Sequence, residues 1–323
     1  SSKRFLERLA KRGLNLEPIL SGVRLHSMED LAAGMSSTRR MVALVQAVLF
    51  PAWLLRALYC RRMPLDSPAA ILFSSGSEGE PKGVVLSHRN MMANLKQTSD
   101  VLNTETSDVI MATLPLFHAF GLTVTTLMPM VEGIPVICHP DPTDAVCVAR
   151  AVATYEATIL CGTSTFLRLY AKNNRVDPLM FDSLRLVVAG AEKLAADVRE
   201  SFKLKFQKEV YEGFGATETT PVASCNVPNR LDTLSWQVHV GAKPGTVGLP
   251  IFGVDVRCVD EHDQAVPPGE RGEVLVRGPN VMKGYYGRPE ATAEAMRGGW
   301  FRTGDIGQFD ADGCLAIVDR KKD

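Results

Sequence analysis

Residues 69–84 read AAILFSSGSEGEPKGV, an apolar run followed by a loop of glycine, serine and one lysine. The run Ala69–Ser74 predicts a short buried strand. Glycines let backbone N–H groups turn toward an anion, the hydroxyls add donors, and Lys82 adds a positive charge. The loop therefore suits nucleotide phosphates, although an ordinary Gly/Ser turn has the same composition. Because Gly83, and not Ser or Thr, follows Lys82, the pattern disfavours a P-loop kinase or ATPase.

After this loop, short apolar runs alternate with stretches of helical length, which predicts an α/β fold with doubly wound sheets and helices on both faces. The predicted strands are Val109–Leu114, Ile134–Cys138, Thr158–Cys161 and Leu184–Ala189. The predicted helices begin after Ser87 and span Thr143–Glu156 and Glu192–Phe206. Beyond about residue 226, turn sequences separate the short runs Val254–Val259, Glu273–Arg277 and Cys314–Val318. These predict a smaller antiparallel β subdomain.

The composition is that of a globular protein. The 323 residues are 46% hydrophobic and carry 36 Lys and Arg against 36 Asp and Glu, so no overall positive charge indicates nucleic-acid binding. Seven cysteines without a CxxC pair favour a reducing compartment. The predicted parts are a basic, apolar segment (1–68), an α/β subdomain (69–225), a β-rich subdomain (226–318) and a hinge (319–323). The charged run at the end directly follows a predicted strand, and we expect a piece of a longer protein.

The first 62 residues carry 11 Lys and Arg against 4 Asp and Glu, a net charge of +7. Within them, Met41–Cys60 is almost wholly apolar but contains Gln46, Pro51 and Arg56, which disfavours a membrane-spanning helix. One interpretation is a buried helix pair broken at Pro51. The other is a helix on an anionic membrane surface, with Trp53 at the depth of the headgroups.

Two more motifs combine polar chemistry with glycine. Residues 211–218 read YEGFGATE: Phe214 offers a flat face for stacking, and Glu218 could face a triphosphate only with a cation such as Mg²⁺ between them. Residues 300–305 read WFRTGD, in which Asp305 could accept hydrogen bonds from both hydroxyls of a ribose. Asp305 follows a glycine at a predicted turn. Taken alone, the first motif is more typical of a surface turn and the second of an Asx-turn. Alone, the terminal run DRKKD (319–323) is a solvated charge run.

In this order and spacing, the four motifs resemble those of the adenylate-forming superfamily of acyl-CoA synthetases, luciferases and peptide-synthetase adenylation domains. The resemblance covers about residues 69–323. Four further stretches are similar to the synthetase portion of the bacterial bifunctional acyl-[acyl-carrier-protein] synthetase/2-acylglycerophosphoethanolamine acyltransferases. They are PLFHAFGLT (115–123), GTSTFL (162–167), VVAGAEKL (187–194) and NVP (226–228).

The resemblance implies an acyl-adenylate-forming ligase that uses ATP and Mg²⁺. A fatty-acid carboxylate would attack the α-phosphorus, and the phosphopantetheine thiol of acyl carrier protein would then displace AMP. Catalytic roles would fall to Lys82, His118, Thr217 and Glu218, with Glu218 also binding the metal. The implied nucleotide contacts are Ser74, Ser75, Gly76, Ser77, Gly79, Gly190, Ala191, Glu192, Phe214, Asp305 and Arg320. Lys322 would be the pivot of the hinge, and His118 would lie near the acyl carboxylate unless it is a buried structural histidine.

The resemblance also implies a setting, namely lysophospholipid re-acylation at the cytoplasmic face of the bacterial inner membrane. The acyltransferase domain and the mobile C-terminal domain, which carries an essential lysine, lie outside this chain. We therefore expect a soluble fragment that binds nucleotide but has little synthetase activity. A fatty acid–CoA ligase and a non-catalytic nucleotide-binding or docking module are the alternatives. The family's usual tyrosine in the magnesium motif is Phe214 here, which keeps the ring and lacks the hydroxyl.

Overall fold

A computed structural model describes residues 3–11, 13, 15–22, 24–74 and 80–321. The chain forms two compact units, Ser1–Met63 and Pro64–Asp323. Five residues with predicted roles lie outside the described residues, so their roles stay predictions. They are Ser75, Gly76, Ser77 and Gly79 of the phosphate loop and Lys322 of the hinge.

The first unit is helical. Its helices are α1 (Lys3–Lys11), α2 (Glu17–Leu20), α3 (Met28–Ala33), α4 (Ser37–Leu49) and α5 (Ala52–Tyr59). Pro51 separates α4 from α5, as the sequence predicts, because it lacks the N–H that would continue the helix. Residues 37–59 are all described, and neither helix buries a side chain, so the interpretation as a buried pair is wrong for this unit. No helix among the described residues reaches the length and apolarity needed to cross a bilayer.

The second unit contains the remaining elements. Its helices are α6 (His88–Val101), α7 (Ala119–Leu122), α8 (Met128–Glu132), α9 (Ala145–Tyr155), α10 (Ser164–Lys172), α11 (Ala196–Phe206) and α12 (Pro289–Ala295). A π-helical turn, Thr123–Leu127, joins α7 to α8, and 3₁₀ turns lie at Pro178–Phe181 and Thr217–Thr219. The strands are β1 (Pro68–Ser74), β2 (Lys82–Ser87), β3 (Ile110–Ala112), β4 (Val136–Cys138), β5 (Ile159–Gly162), β6 (Leu186–Ala189), β7 (Val210–Gly215), β8 (Val222–Cys225), β9 (Arg230–Asp232), β10 (Gln237–His239), β11 (Leu249–Pro250), β12 (Asp255–Val259), β13 (Gly272–Arg277), β14 (Gly284–Tyr285), β15 (Met296–Arg297), β16 (Trp300–Phe309) and β17 (Leu315–Arg320).

The predicted α/β fold is confirmed by the main sheet. In the part of the chain that is described, this sheet has seven strands in the order β11-β8-β7-β6-β5-β3-β4. The strands from β4 to β7 are parallel, and β8 and β11 add an antiparallel edge. Alternate residues face opposite cores: Ile159 packs with α6, and Leu160 packs with α9 and α11. Both faces are therefore covered by helices, as continuous apolar strands require.

The predicted antiparallel subdomain also forms. Strands β12, β13, β16 and β15 pair in that order, and β17 also pairs with β16. Each pairing in this sheet is antiparallel. The register opposes Asp305 on β16 to Arg320 on β17, which brings two residues of separate sequence motifs together.

The prediction of Ala69–Ser74 as a buried strand is only partly right. The strand forms as β1, but it pairs antiparallel with β2 and not within the main sheet. Leu72 is buried, whereas Phe73 is 72% exposed. The reason is that Lys82–Ser87 supplies the partner of a hairpin, and β1 alternates in burial along this pair, so that it buries one face only. The phosphate loop therefore joins two antiparallel strands, and α6 begins afterwards at the Ser87 cap, as predicted.

Gly215 is fixed by a close approach of the backbone. A Cβ atom there would overlap the carbonyl oxygen of Pro221, whose hydrogen bond from the Ala216 N–H closes the turn at 3.1 Å. A Cβ on nearby Gly213 would meet nothing closer than 3.4 Å. The turn that carries Thr217 and Glu218 therefore requires glycine at position 215.

We expect Gly215→Ala to lower the free energy of unfolding by about 1–3 kcal/mol, the usual range for forced overpacking. Gly213→Ala is the matched control and should lower it by clearly less. Urea unfolding followed by circular dichroism measures both variants, and equal losses would contradict this account of the turn.

Candidate active site

A cavity of about 690 Å³ opens at the carboxyl ends of β6 and β7. The turn Thr217–Thr219 and strand β16 of the antiparallel sheet also face it. In open parallel sheets, ligands bind at this edge of the strands. The cavity is lined by ten predicted site residues: Ser74, Lys82, His118, Gly190, Ala191, Phe214, Thr217, Glu218, Asp305 and Arg320.

Of the described residues predicted to bind nucleotide, Glu192 alone does not line the cavity. Its carboxylate accepts a hydrogen bond from the backbone N–H of Thr165, in the first turn of α10. This contact and the neighbouring hydroxyls lower the pKa of Glu192 despite some burial. The structure therefore gives Glu192 a place at a helix N-terminus, where a carboxylate is favourable.

Buried amide side chains hold the elements around the cavity together. The Asn90 side chain on α6 donates to the carbonyls of Pro279 and Val281 at 2.8 and 2.7 Å. Asn280 donates to the carbonyl of Thr219 at 2.9 Å, directly beside Glu218. The sequence analysis missed both residues, because buried asparagines interrupt an apolar pattern and give no periodic signal.

Glu218 is a buried carboxylate in the wall of the cavity. Its Oε1 atom accepts hydrogen bonds from the hydroxyl of Tyr285 at 3.0 Å and from the hydroxyl of Ser74 at 3.3 Å. Lys82 lies over the Tyr285 ring, with Nζ 5.5 Å from the ring centroid. Tyr285 was not predicted as a site residue, because the stretch GYYG (284–287) lies among turn residues and matches no motif for a binding site.

Asp305 lies inside β16 and not at the predicted turn, and its side chain is 19% exposed. Arg320 faces it across the strand pair, with 3.9 Å between Arg320 Nε and Asp305 Oδ1. Burial raises the pKa of Asp305, the Arg320 guanidinium opposes this shift, and the Glu218 carboxylate adds to it. The negative charge of ionised Asp305 is therefore only partly compensated within the protein, and hydrogen bonds from the hydroxyl groups of a ligand would stabilise it.

His118 caps the first turn of α7. Its Nδ1 atom accepts a hydrogen bond from the Phe120 N–H at 3.2 Å. Partial burial lowers the pKa of the imidazole, which is therefore neutral near pH 7. With Nδ1 as an acceptor, the proton resides on Nε2, and the ring can donate to a ligand. The side chain lines the cavity and is not fully buried, so the alternative of a buried structural histidine is wrong.

Gly190 and Ala191 follow β6, and Phe214 lies on β7, so these three predicted nucleotide contacts meet at one edge of the sheet. A Cβ atom on Gly190 would lie 3.0 Å from the Phe120 ring. Glycine at this position thus permits the ring to pack against the end of β6.

An apolar wall adjoins the polar residues of the cavity. It consists of Val101 and Leu102 from the end of α6, Phe120 and Val124 from α7 and the π-helical turn, and Val222 from β8. Residues 122–131 contribute Val124 to this wall. Thr165–Tyr170 packs in the core on the other face, where the Tyr170 and Phe181 ring centroids are 6.1 Å apart.

The arginine of the WFRTGD motif has a structural role that the sequence analysis missed. Arg302 forms ion pairs with Glu273 and Asp263, and Lys321 Nζ lies 3.3 Å from the same Glu273 carboxylate. This network joins β13, β16 and the end of β17 at the mouth of the cavity.

The residues present fit a magnesium ion carried by a nucleotide. No group of three or more His, Cys, Asp or Glu residues among those described is arranged to hold a metal. Mg²⁺ commonly takes one or two protein carboxylates and completes its shell with phosphates and water. Glu218, with the Ser74 and Thr217 hydroxyls in the same wall, suits that mode.

The fold and the cavity define the class, an α/β protein with a candidate ligand site at the edge of its parallel sheet. Residues 27–286 match the family model described as AMP-binding enzyme. The chain belongs to this family. Membership of the adenylate-forming superfamily, predicted from the motifs, is thereby confirmed, as is an adenine nucleotide as the cofactor.

Relatives of this chain include CoA ligases. A feruloyl-CoA synthase of an Amycolatopsis species is 37% identical over 259 residues, which are 80% of this chain and 50% of that protein. A long-chain-fatty-acid–CoA ligase of Escherichia coli O6:H1 is 36% identical over 258 residues, 79% of this chain and 44% of that protein. The crystal structure of ATP-bound MatB from Rhodopseudomonas palustris is similar with a TM-score of 0.71 and 32% identity, covering 81% of this chain and 50% of that one.

The chain spans about half the length of the curated relatives it matches. Their names specify CoA, so acyl carrier protein as the acceptor stays a prediction. The domain boundaries and the roles of individual site residues also stay predictions.

Burial raises the pKa of Asp305 in the folded protein above the pKa of the same residue in the unfolded chain. The ionised carboxylate therefore lowers the free energy of unfolding at pH values above the folded pKa, and this loss disappears at pH values below the unfolded pKa. We expect Asp305→Asn to be more stable than the wild type at pH 7 and the difference to shrink as the pH falls toward about 4. Thermal unfolding of both proteins between pH 4 and 8 measures this difference in stability. If Asp305→Asn is less stable than the wild type at pH 7, the prediction is wrong and Arg320 compensates the charge of Asp305.

Proposed function

We propose that this chain binds ATP and an acyl-adenylate and forms the adenylating site of an enzyme that activates a fatty acid. The observation that carries the proposal is the meeting of Lys82, Glu218, Asp305 and Arg320 around one cavity with an apolar wall. Lys82 and Arg320 are cationic, and Glu218 and Asp305 are anionic. This set of charges suits a nucleotide with its metal ion and ribose, and the apolar wall suits an acyl chain. The relatives named for a long-chain fatty acid and for ferulate add support for a carboxylic acid substrate.

The reaction joins two anions, so the site must mainly neutralise charge and position the reactants. A carboxylate oxygen forms a bond to the α-phosphorus while the bond to the bridging oxygen breaks, and pyrophosphate leaves with the electron pair. In the second step a thiolate sulfur attacks the acyl carbon, and AMP leaves. Glu218 would hold the Mg²⁺ ion carried by the nucleotide, and this ion would supply neutralisation of phosphate charge.

The chain's own residues divide this work. Lys82, at the start of β2, places an ammonium group beside the phosphate loop, and Thr217 places a hydroxyl next to Glu218. Asp305 accepts hydrogen bonds from the ribose, with Arg320 holding the other side of the carboxylate. Neutral His118 donates from Nε2 to the acyl carboxylate, where it orients the nucleophile without adding charge.

Acyl carrier protein is the acceptor in this proposal, and lysophospholipid is the final acceptor of the acyl group in the whole protein. The stretches at 115–123, 162–167, 187–194 and 226–228 support it through their resemblance to bacterial acyl-[acyl-carrier-protein] synthetases. A fatty acid–CoA ligase is the second candidate, favoured by the names of the relatives. Parallel assays of the full-length protein with CoA and with acyl carrier protein separate the two.

We expect the chain to bind a non-hydrolysable acyl-adenylate analogue in calorimetric titration. A Glu218→Ala, Asp305→Ala double variant should bind at least about 100-fold more weakly, because hydrogen bonds to charged groups contribute about 1.5–3 kcal/mol each. Glu192→Gln, which alters a carboxylate outside the cavity, is the matched control and should keep its affinity.

Absence of binding by the folded wild-type chain would contradict the proposal and favour a non-catalytic docking module. Equal binding by the wild type and the double variant would place the nucleotide elsewhere.

We also propose that α4 and α5 lie on an anionic membrane surface. Both helices expose large apolar side chains, among them Val48, Leu49 and Trp53. Residues 31–65 contain five arginines and no Asp or Glu, so the charge complements acidic lipid headgroups. This interpretation agrees with a setting at the inner membrane, where lysophospholipid is found.

We expect the chain to co-sediment with phosphatidylglycerol vesicles and not with phosphatidylcholine vesicles. Replacing Arg61 and Arg62 by Gln should weaken binding about tenfold or more, since each basic residue near the surface contributes about 1 kcal/mol. Val48→Asp should also weaken it, whereas Leu204→Asp, at an exposed apolar position of the second unit, should not. Equal binding to both lipids would contradict this proposal.

A further inference from the structure

The hydroxyl of Tyr285 fixes one oxygen of the Glu218 carboxylate. It donates to Oε1 at 3.0 Å, and the Ser74 hydroxyl donates to the same atom at 3.3 Å. Neither partner carries a charge, so the carboxylate is oriented without being neutralised. Among the described residues both hydrogen bonds end on Oε1, which leaves Oε2 for a ligand.

The backbone around Tyr285 is held in place independently of its side chain. The Tyr286 N–H donates to the Gly83 carbonyl at 2.7 Å, and the Tyr285 N–H donates to the Thr292 hydroxyl at 2.9 Å. The Met282 N–H donates to the carbonyl of Glu218 at 2.8 Å. Segment 282–286 therefore contacts both the main chain and the side chain of Glu218, and it pairs with the strand that carries Lys82.

The Tyr285 ring also contacts the cationic side of the site. Lys82 Nζ lies 5.5 Å from the ring centroid, within the range of a cation–π interaction. Burial, with the nearby Glu218 charge, raises the pKa of Tyr285, so its hydroxyl stays protonated and remains a donor. A single side chain thus touches the carboxylate and the ammonium group that the proposed function assigns to the metal and the phosphates.

From this geometry we infer that Tyr285 is a positioning residue, whose hydroxyl holds Glu218 so that Oε2 faces the divalent cation bound with ATP. The inference rests on the proposed function and adds a residue to that site. Groups that orient a metal ligand commonly change metal affinity by about 10-fold to 100-fold. A merely structural tyrosine would affect nucleotide binding equally with and without the metal.

The test is calorimetric titration of the whole 323-residue chain with α,β-methylene-ATP, once in Mg²⁺ and once in EDTA. We expect Tyr285→Phe to weaken binding about tenfold in Mg²⁺ and by less than about twofold in EDTA. Tyr286→Phe is the matched control, because it removes a hydroxyl from the adjacent, 69% exposed ring. It should behave as the wild type in both buffers.

A double-mutant cycle with Glu218→Gln tests whether the effect passes through the carboxylate. In the Glu218→Gln background, Tyr285→Phe should have no further effect in Mg²⁺. Additive losses, or equal losses in Mg²⁺ and EDTA, would overturn the inference. If Glu218→Gln abolishes binding but Tyr285→Phe leaves it unchanged, the inference about Tyr285 is wrong and the proposed function stands. If the wild type binds no nucleotide, both the inference and the proposed function are wrong.

Discussion

The N–H groups of amide side chains buried along segment 279–281 must find hydrogen-bond acceptors, because an unpaired buried polar group costs about 1–3 kcal/mol. Asn90 Nδ2 meets this requirement through the carbonyls of Pro279 and Val281, and Asn280 Nδ2 through that of Thr219, whereas Asn280 Oδ1 has no hydrogen-bond partner among the described residues. These bonds tie segment 279–281 to α6 and to the turn that carries Glu218. They therefore support one wall of the cavity.

The sequence predicted the parts of the fold that depend on local pattern. Buried parallel strands such as Leu186–Ala189 are continuous apolar runs, and a Ser cap marks the start of α6. The pairing partner of β1 could not be predicted in this way, since a short apolar run is compatible with a parallel sheet and with a hairpin. Its partner, Lys82–Ser87, begins inside the phosphate motif, where lysine and glycine precede the short apolar run Val84–Leu86.

The same distinction applies to the candidate site. Site residues that belong to a sequence motif could be predicted from the motif as a whole, and the structure places ten of them around one cavity. Tyr285 and Arg302 could not be assigned from sequence, because their partners Glu218 and Glu273 are distant in the chain and become neighbours only in the folded structure. Glu192 is the exception among the described residues: it lies within a matching motif, but its carboxylate accepts a hydrogen bond at the N-terminus of α10, and its nucleotide contact stays a prediction.

The register between β16 and β17 has a consequence beyond the cavity. Asp305 opposes Arg320, and the next residue, Lys321, donates its backbone N–H to the Gly304 carbonyl. A ligand that contacts Asp305 therefore also bears on β17, which pairs with β16 at this residue. By thermodynamic linkage, any displacement of β17 that changes ligand affinity must itself be driven by ligand binding, with the same coupling free energy in both directions.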